Sequence, residues 1–228
     1  MKLNARYIKH TLRFYRPAGT SRGYYNTKDS WYILLSNTHH PEVIGIGECS
    51  ILPGLSYDDR PEIEQKIAEV CEQINRNEFE INSLNEQWPS IRFALETARL
   101  DLENEGKRIL YPSQFTRGKE GIPTNGLIWM GDESHMRQQI GEKLERGFSC
   151  IKLKIGALNW TTEYKILKFL RKQFNAEDLT IRVDANGAFS PQRAYTVLEQ
   201  LAELEVHTIE QPIKAGQIEA MALLCDGS

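Results

Sequence analysis

An α+β domain followed by a series of parallel β/α units is the fold class this sequence predicts, from three changes of pattern. The first fifty residues contain three strand-like stretches separated by turn residues. The next fifty switch to apolar residues at three- and four-residue spacing, the mark of helices with one buried face. From about Pro112 onward, strand and helix patterns alternate four times. Such alternation implies parallel strands joined by right-handed crossovers.

In the first part, Lys2 to Leu12 and Ser30 to Ser36 read as strands. The turn Asn37-Thr38-His39-His40-Pro41 then leads into a third strand, Glu42 to Glu48. Arg16-Pro17-Ala18-Gly19-Thr20-Ser21-Arg22-Gly23 is rich in Gly and Pro and reads as a loop, as does Ser50 to Ser56. Ile63, Ile67, Val70 and Ile74 form the stripe of a helix, with Asp58, Asp59 and Pro61 as its opening signals. A second helix runs from Trp88 or Ser90 to Gly106 on Ile91, Ala94, Leu95, Ala98 and Leu102.

The second part begins with a strand over Ile122 to Met130 and a helix over Glu133 to Arg146. The strand Ser149 to Ile155 and the helix Thr161 to Phe174 follow, and then the strand Thr180 to Asp184. Ser190 to Leu204 is a helix with Ser190 as its N-cap and Pro191 in its first position. A strand, Val206 to Glu210, and a helix from Gln217 to Cys225 close the series. A doubly wound sheet and a (β/α) barrel both satisfy this order. No GxGxxG or Walker sequence follows any of the strands, so nucleotide binding has no support.

Composition narrows the partners. The 228 residues carry 28 basic and 31 acidic side chains, a net charge of −3, with no basic stripe to meet nucleic acid or an anionic membrane. The apolar runs are strand-sized, short of the ~20 residues a membrane helix needs. The amino terminus has no apolar segment after its charges, so a secretory signal is not expected and a cytoplasmic location is. Cys49, Cys71, Cys150 and Cys225 are scattered, which argues against a zinc site or a disulfide framework. His39-His40, adjacent in a polar turn, reads as a solvated pair.

Parallel strands covered on both faces are normally continuous Val, Ile and Leu. Three strands here break that rule. In Cys150-Ile151-Lys152-Leu153-Lys154-Ile155 both lysines point to one face and the aliphatic residues to the other. Ile181-Arg182-Val183-Asp184-Ala185-Asn186 repeats the alternation, and Val206-His207-Thr208-Ile209-Glu210 ends in a carboxylate. Taken singly, a Lys-x-Lys strand describes an exposed sheet edge and an Asp-Ala-Asn a turn. Together and in phase, Lys152, Lys154, Arg182, Asp184 and Glu210 face one interior, where unpaired charges cost several kcal/mol each. Each lies near the C-terminal end of its strand, the end at which barrel enzymes build their sites.

Asp184 and Glu210 are hard oxygen donors suited to Mg²⁺. Burial and the second cation, Lys152, are expected to lower the pKa of Lys154 and make it a base. A base facing a divalent ion suits proton abstraction α to a carboxylate, where strong positive charge must meet the developing enediolate.

Ile151-Lys152-Leu153-Lys154, Val183-Asp184-Ala185-Asn186 and Ile209-Glu210-Gln211-Pro212 resemble three successive motifs of the muconate-lactonizing branch of the enolase superfamily. Gly45-Ile46-Gly47-Glu48-Cys49-Ser50 with Leu52-Pro53 is similar to the end of that family's capping sheet and its mobile loop. The resemblance implies an enolase-type capping domain over residues 1–111 and the first half of a (β/α)7β TIM-type barrel over residues 112–228. It also implies Lys154 as base, Lys152 as its electrostatic partner, Asp184 and Glu210 as Mg²⁺ (or Mn²⁺) ligands and Asn186 as support for the metal aspartate. The loops at Gly19 to Gly23 and Ile51 to Leu55 would close over a small carboxylate substrate.

Arg182 is similar to an arginine of the o-succinylbenzoate synthase subgroup that assists catalysis. That resemblance implies a lyase eliminating water to give 2-succinylbenzoate for menaquinone. Epimerases, racemases and cycloisomerases of the same superfamily share the base and metal, and a non-catalytic barrel piece is the alternative outside enzymes. In the family a third acidic ligand and a further lysine follow the position of Ser228, so the barrel is expected to be truncated after about four strands and inactive by itself.

Overall fold

The computed structural model describes residues 2–20, 23–80, 83–84 and 86–227. It divides into two compact units, Met1–Ile122 and Pro123–Ser228.

In the first unit, β1 (Leu3–Thr20), β2 (Gly23–Asn37) and β3 (His40–Ser50) form an antiparallel meander in that order. Period-two alternation sends Ala5, Trp31, Ile33, Leu35 and Cys49 into one core. Against that face pack α1 (Ile63–Asn75), through Ile63, Ile67, Val70 and Ile74, and α2 (Pro89–Glu103), through Ile91, Ala94, Leu95 and Ala98. The closest approach is at Gly47, where a Cβ would lie 2.7 Å from the Ala94 carbonyl carbon and 2.9 Å from the Ala98 nitrogen. Glycine there lets helix and strand backbones nearly touch.

Two expectations need correction here. The segment read as a loop over Arg16 to Gly23 is mostly strand: Ala18 pairs with Tyr25, Gly19 with Tyr24 and Thr20 with Gly23. A register shift between Arg13 and Ala18 lets the ladder pass Pro17, which has no N–H to donate. Ser21 and Arg22 lie outside the described residues. Asp58 does not cap α1, whose N-cap Glu62 makes no side-chain cap bond. Asp58 is instead fully buried and accepts from the backbone N and the hydroxyl of Ser90 (2.8 and 2.7 Å), capping α2 from thirty-two residues away.

The second unit runs β4 (Gly126–Ile128), α3 (Glu133–Glu145), β5 (Cys150–Lys154), α4 (Trp160–Gln173), β6 (Thr180–Asp184), α5 (Pro191–Glu203), β7 (Thr208–Glu210) and α6 (Ile218–Asp226). All strand pairings are parallel, and the sheet order β4-β5-β6-β7 follows the chain. A doubly wound sheet reverses direction at a switch point; strictly sequential order is the progression of a barrel. Ile151, Leu153, Ile155, Ile181 and Val183 turn their side chains to the helices and are at most 1% exposed. β4 is shorter than the expected Ile122 to Met130. Pro123 cannot donate to a ladder, and Ile122 and Trp129 remain exposed at 59% and 44%. Ser190 caps α5 as expected, accepting from the Arg193 nitrogen at 3.2 Å.

Candidate active site

Strand register decides which charges meet. β5 and β6 pair so that Lys152 lies beside Arg182 and Lys154 beside Asp184, while β6 and β7 set Asp184 beside Glu210. Neighbouring residues in a parallel ladder share a face. All five side chains therefore stand on the face opposite the helix-packed aliphatics, at the C-terminal ends of three adjacent strands.

The contacts are specific. Lys154 Nζ donates to Asp184 Oδ2 at 2.5 Å and to Asn186 Oδ1 at 3.0 Å. Lys152 Nζ donates to Glu210 Oε2 and stands 3.6 Å from Asp184 Oδ2. Asp184 is 1% exposed, and its Oδ1 accepts from the Asn186 backbone N–H at 3.0 Å. The two lysine side chains are about one-fifth exposed and Glu210 is open, at 58%.

The backbone contributes at two strand ends. Asn186 and Gln211 have φ of +46° and +47°, the left-handed region that asparagine tolerates and most residues avoid. That turn brings Asn186 back over Asp184, where it bonds both the carboxylate and the lysine.

Carboxylates surround both lysines. Burial and the Lys152 ammonium two residues away were expected to favour a neutral Lys154. Each lysine faces a carboxylate, and the Glu210 hydrogen bond holds Lys152 above the usual lysine value.

This donor set suits a divalent cation. A single ammonium, that of Lys152, touches Glu210 and lies 3.6 Å from Asp184, so the two carboxylates converge closely enough to share one positive charge. Both present hard oxygen atoms. Among the described residues no group of three His, Cys, Asp or Glu side chains converges on one point, so this chain's described residues offer two protein ligands. Arg182 adds a further cation on the same face, its Nε buried without a hydrogen-bond partner among the described residues.

Sequence reasoning passed over Glu163, in the first turn of α4. Its buried carboxylate accepts from the backbone N–H groups of Gly156, Ala157 and Leu158, directly after the lysine strand. A glutamate shortly after a Gly-containing loop and an Asn N-cap was the available signal.

An α+β unit of three antiparallel strands and two helices, followed by sequential parallel β/α units with charged strand ends, defines a barrel-enzyme class of protein. The enolase C-terminal domain-like family model matches residues 135–228. The o-succinylbenzoate synthase of Desulfotalea psychrophila is 38% identical over 253 residues, covering 97% of this chain and 68% of that protein. The crystal structure of MenC from Desulfotalea psychrophila superposes with a TM-score of 0.84 at 34% identity, covering all of this chain and 69% of that one. The o-succinylbenzoate synthase of Thermosynechococcus elongatus, solved with Mg in its active site, shares the fold with a TM-score of 0.77 at 20% identity, over 98% of this chain and 65% of that one. The chain belongs to the enolase superfamily, in its muconate-lactonizing branch, and is similar to o-succinylbenzoate synthase. It spans about two thirds of the length of these relatives.

Proposed function

We propose that this protein is a Mg²⁺-dependent lyase that converts a cyclohexadiene carboxylate bearing a β-hydroxyl into 2-succinylbenzoate, a step toward menaquinone. The observation that carries the reading is the cluster of Lys154, Asp184, Lys152 and Glu210 across three adjacent strand ends. The 38% identity to an o-succinylbenzoate synthase over nearly the whole chain supports the particular substrate.

In this reading Lys154 removes the proton α to the carboxylate. Asn186 and Asp184 fix the direction of its amine through the bonds at 3.0 and 2.5 Å. The same lysine then hands the proton to the departing β-hydroxyl, which leaves as water, so the proton count closes on one residue. Lys152 and Arg182 supply positive charge on the same face. Asp184 and Glu210 would hold Mg²⁺, with Mn²⁺ a substitute; when bound, the ion supplies the positive charge that a substrate carboxylate needs as its α-proton departs. A cytoplasmic location fits a small anionic substrate, and among the described residues no helix is long and apolar enough to cross a membrane.

The test is made on the full-length protein. Lys154→Ala should abolish dehydration, with Mn²⁺ binding, read by proton relaxation, retained. Appreciable turnover in that variant would remove Lys154 from the role of base. Racemisation of N-succinylamino acids at a higher kcat/KM than dehydration would transfer the assignment to the racemases of the same superfamily.

A further inference from the structure

Glu163 is 2% exposed, and its carboxylate collects all three backbone N–H groups of the loop that leaves β5. Gly156 N donates to both oxygens at 2.8 and 2.9 Å, and Ala157 N and Leu158 N donate to Oε1 at 3.2 and 3.0 Å. Burial pushes its carboxyl above the ordinary range, while these three donors pull the other way. A buried carboxylate is costly, and one committed wholly to a loop indicates that the loop's position matters.

That loop begins two residues past Lys154 and leans on its neighbour. Gly156 has φ +88°, and a Cβ there would collide with Ala188 and lie 3.3 Å from the Ala185 carbonyl. Ile155 N donates to the Asp184 carbonyl at 2.9 Å. The segment 185–189 thus sits directly against the loop that Glu163 holds, and Asn186, the partner of Lys154, belongs to that segment. It continues outward, because Gly187 N donates to Gln211 O at 2.7 Å and Phe189 N to Pro212 O at 3.1 Å.

We propose that Glu163 is a positioning residue for the proton transfer: by fixing the β5–α4 loop it sets the height of Lys154 and Asn186 against Asp184 without touching substrate. This rests on the function proposed above. A carboxylate that only capped α4 would lower stability and leave the chemical step alone, whereas a positioning carboxylate changes kcat.

The test compares Glu163→Ala and the near-isosteric Glu163→Gln with wild type in the full-length protein, by steady-state kinetics and by amide exchange. Glu163→Ala is expected to lose about 100-fold in kcat, the scale of a 1 Å misplacement of a reacting group. KM should stay within about threefold, because substrate contacts are untouched. Glu163→Gln, which keeps one acceptor oxygen, should recover part of the loss. Amide exchange should quicken in peptides covering 155–158 and 185–189, while those covering α1 and α2 hold. A folded Glu163→Ala variant with wild-type kcat, a defect confined to KM, or two variants that both fail to fold would each overturn the inference. Should wild type show no dehydration, the proposed function falls separately; exchange then decides the coupling, and unchanged protection at 185–189 would overturn it.

Discussion

Asp184 offers the sharpest test of how the charged face is held together. Its carboxylate answers two ammonium groups at once, Lys154 at 2.5 Å and Lys152 at 3.6 Å, from a position 1% exposed. Asp184→Asn keeps the shape and removes the charge, leaving Lys154, about one-fifth exposed, with no carboxylate partner and Lys152 with Glu210 alone. Removing one partner of a buried pair costs roughly 3–5 kcal/mol, and the partial solvation of the amines argues for the lower end, about 3 kcal/mol. For a unit of roughly 100 residues that corresponds to a fall in melting temperature of more than about 10 °C. The assay is thermal and urea unfolding in EDTA, followed by amide exchange in peptides covering Trp160 to Asp184, so that the second unit is read apart from the first. Adding Lys154→Met should return part of the loss, because it removes one stranded charge; the pair should be non-additive by about 1–2 kcal/mol. A variant as stable as wild type, or strictly additive behaviour, would refute the view that these contacts hold the site together.

Two further outcomes follow from the first unit. Gly47→Ala should weaken or abolish folding of that unit, since the new methyl falls inside the Ala94 carbonyl and 2.9 Å from the Ala98 nitrogen; a loss below about 1 kcal/mol would show that α2 can retreat freely. Burial pushes the Cys49 thiol from 9.0 up to about 12. A folded-state value above the unfolded one means that its contribution is intact below pH 9 and is lost as pH rises toward 12. Stability should therefore decline more steeply over that window in wild type than in Cys49→Ala, and equal slopes would contradict the burial argument.

Much of this molecule was legible along the chain, and the reason is local. β6 was bounded correctly as Thr180 to Asp184, because its apolar-polar alternation ends where Asn186-Gly187 turns the backbone left-handed. The start of α5 was fixed by Ser190 and Pro191, an acceptor for an unpaired N–H followed by a residue that has none to satisfy. The face shared by Lys152, Lys154, Arg182, Asp184 and Glu210 also followed from period-two geometry alone.

Partnerships across the chain were another matter. Alternation assigns a side chain to a face and says nothing of which residue stands opposite on the next strand. Register set Lys154 against Asp184, and packing brought Lys152 to Glu210, whose hydrogen bond holds that lysine above its usual pKa. The same holds for Asp58, read as the opener of the nearer helix and found capping the farther one, and for Glu163, unremarkable in a helical turn until the loop 156–158 folds onto it. Hydrogen bonds reach about 3 Å. The sequence determines which groups can make them, and only the packing of distant segments decides which ones do.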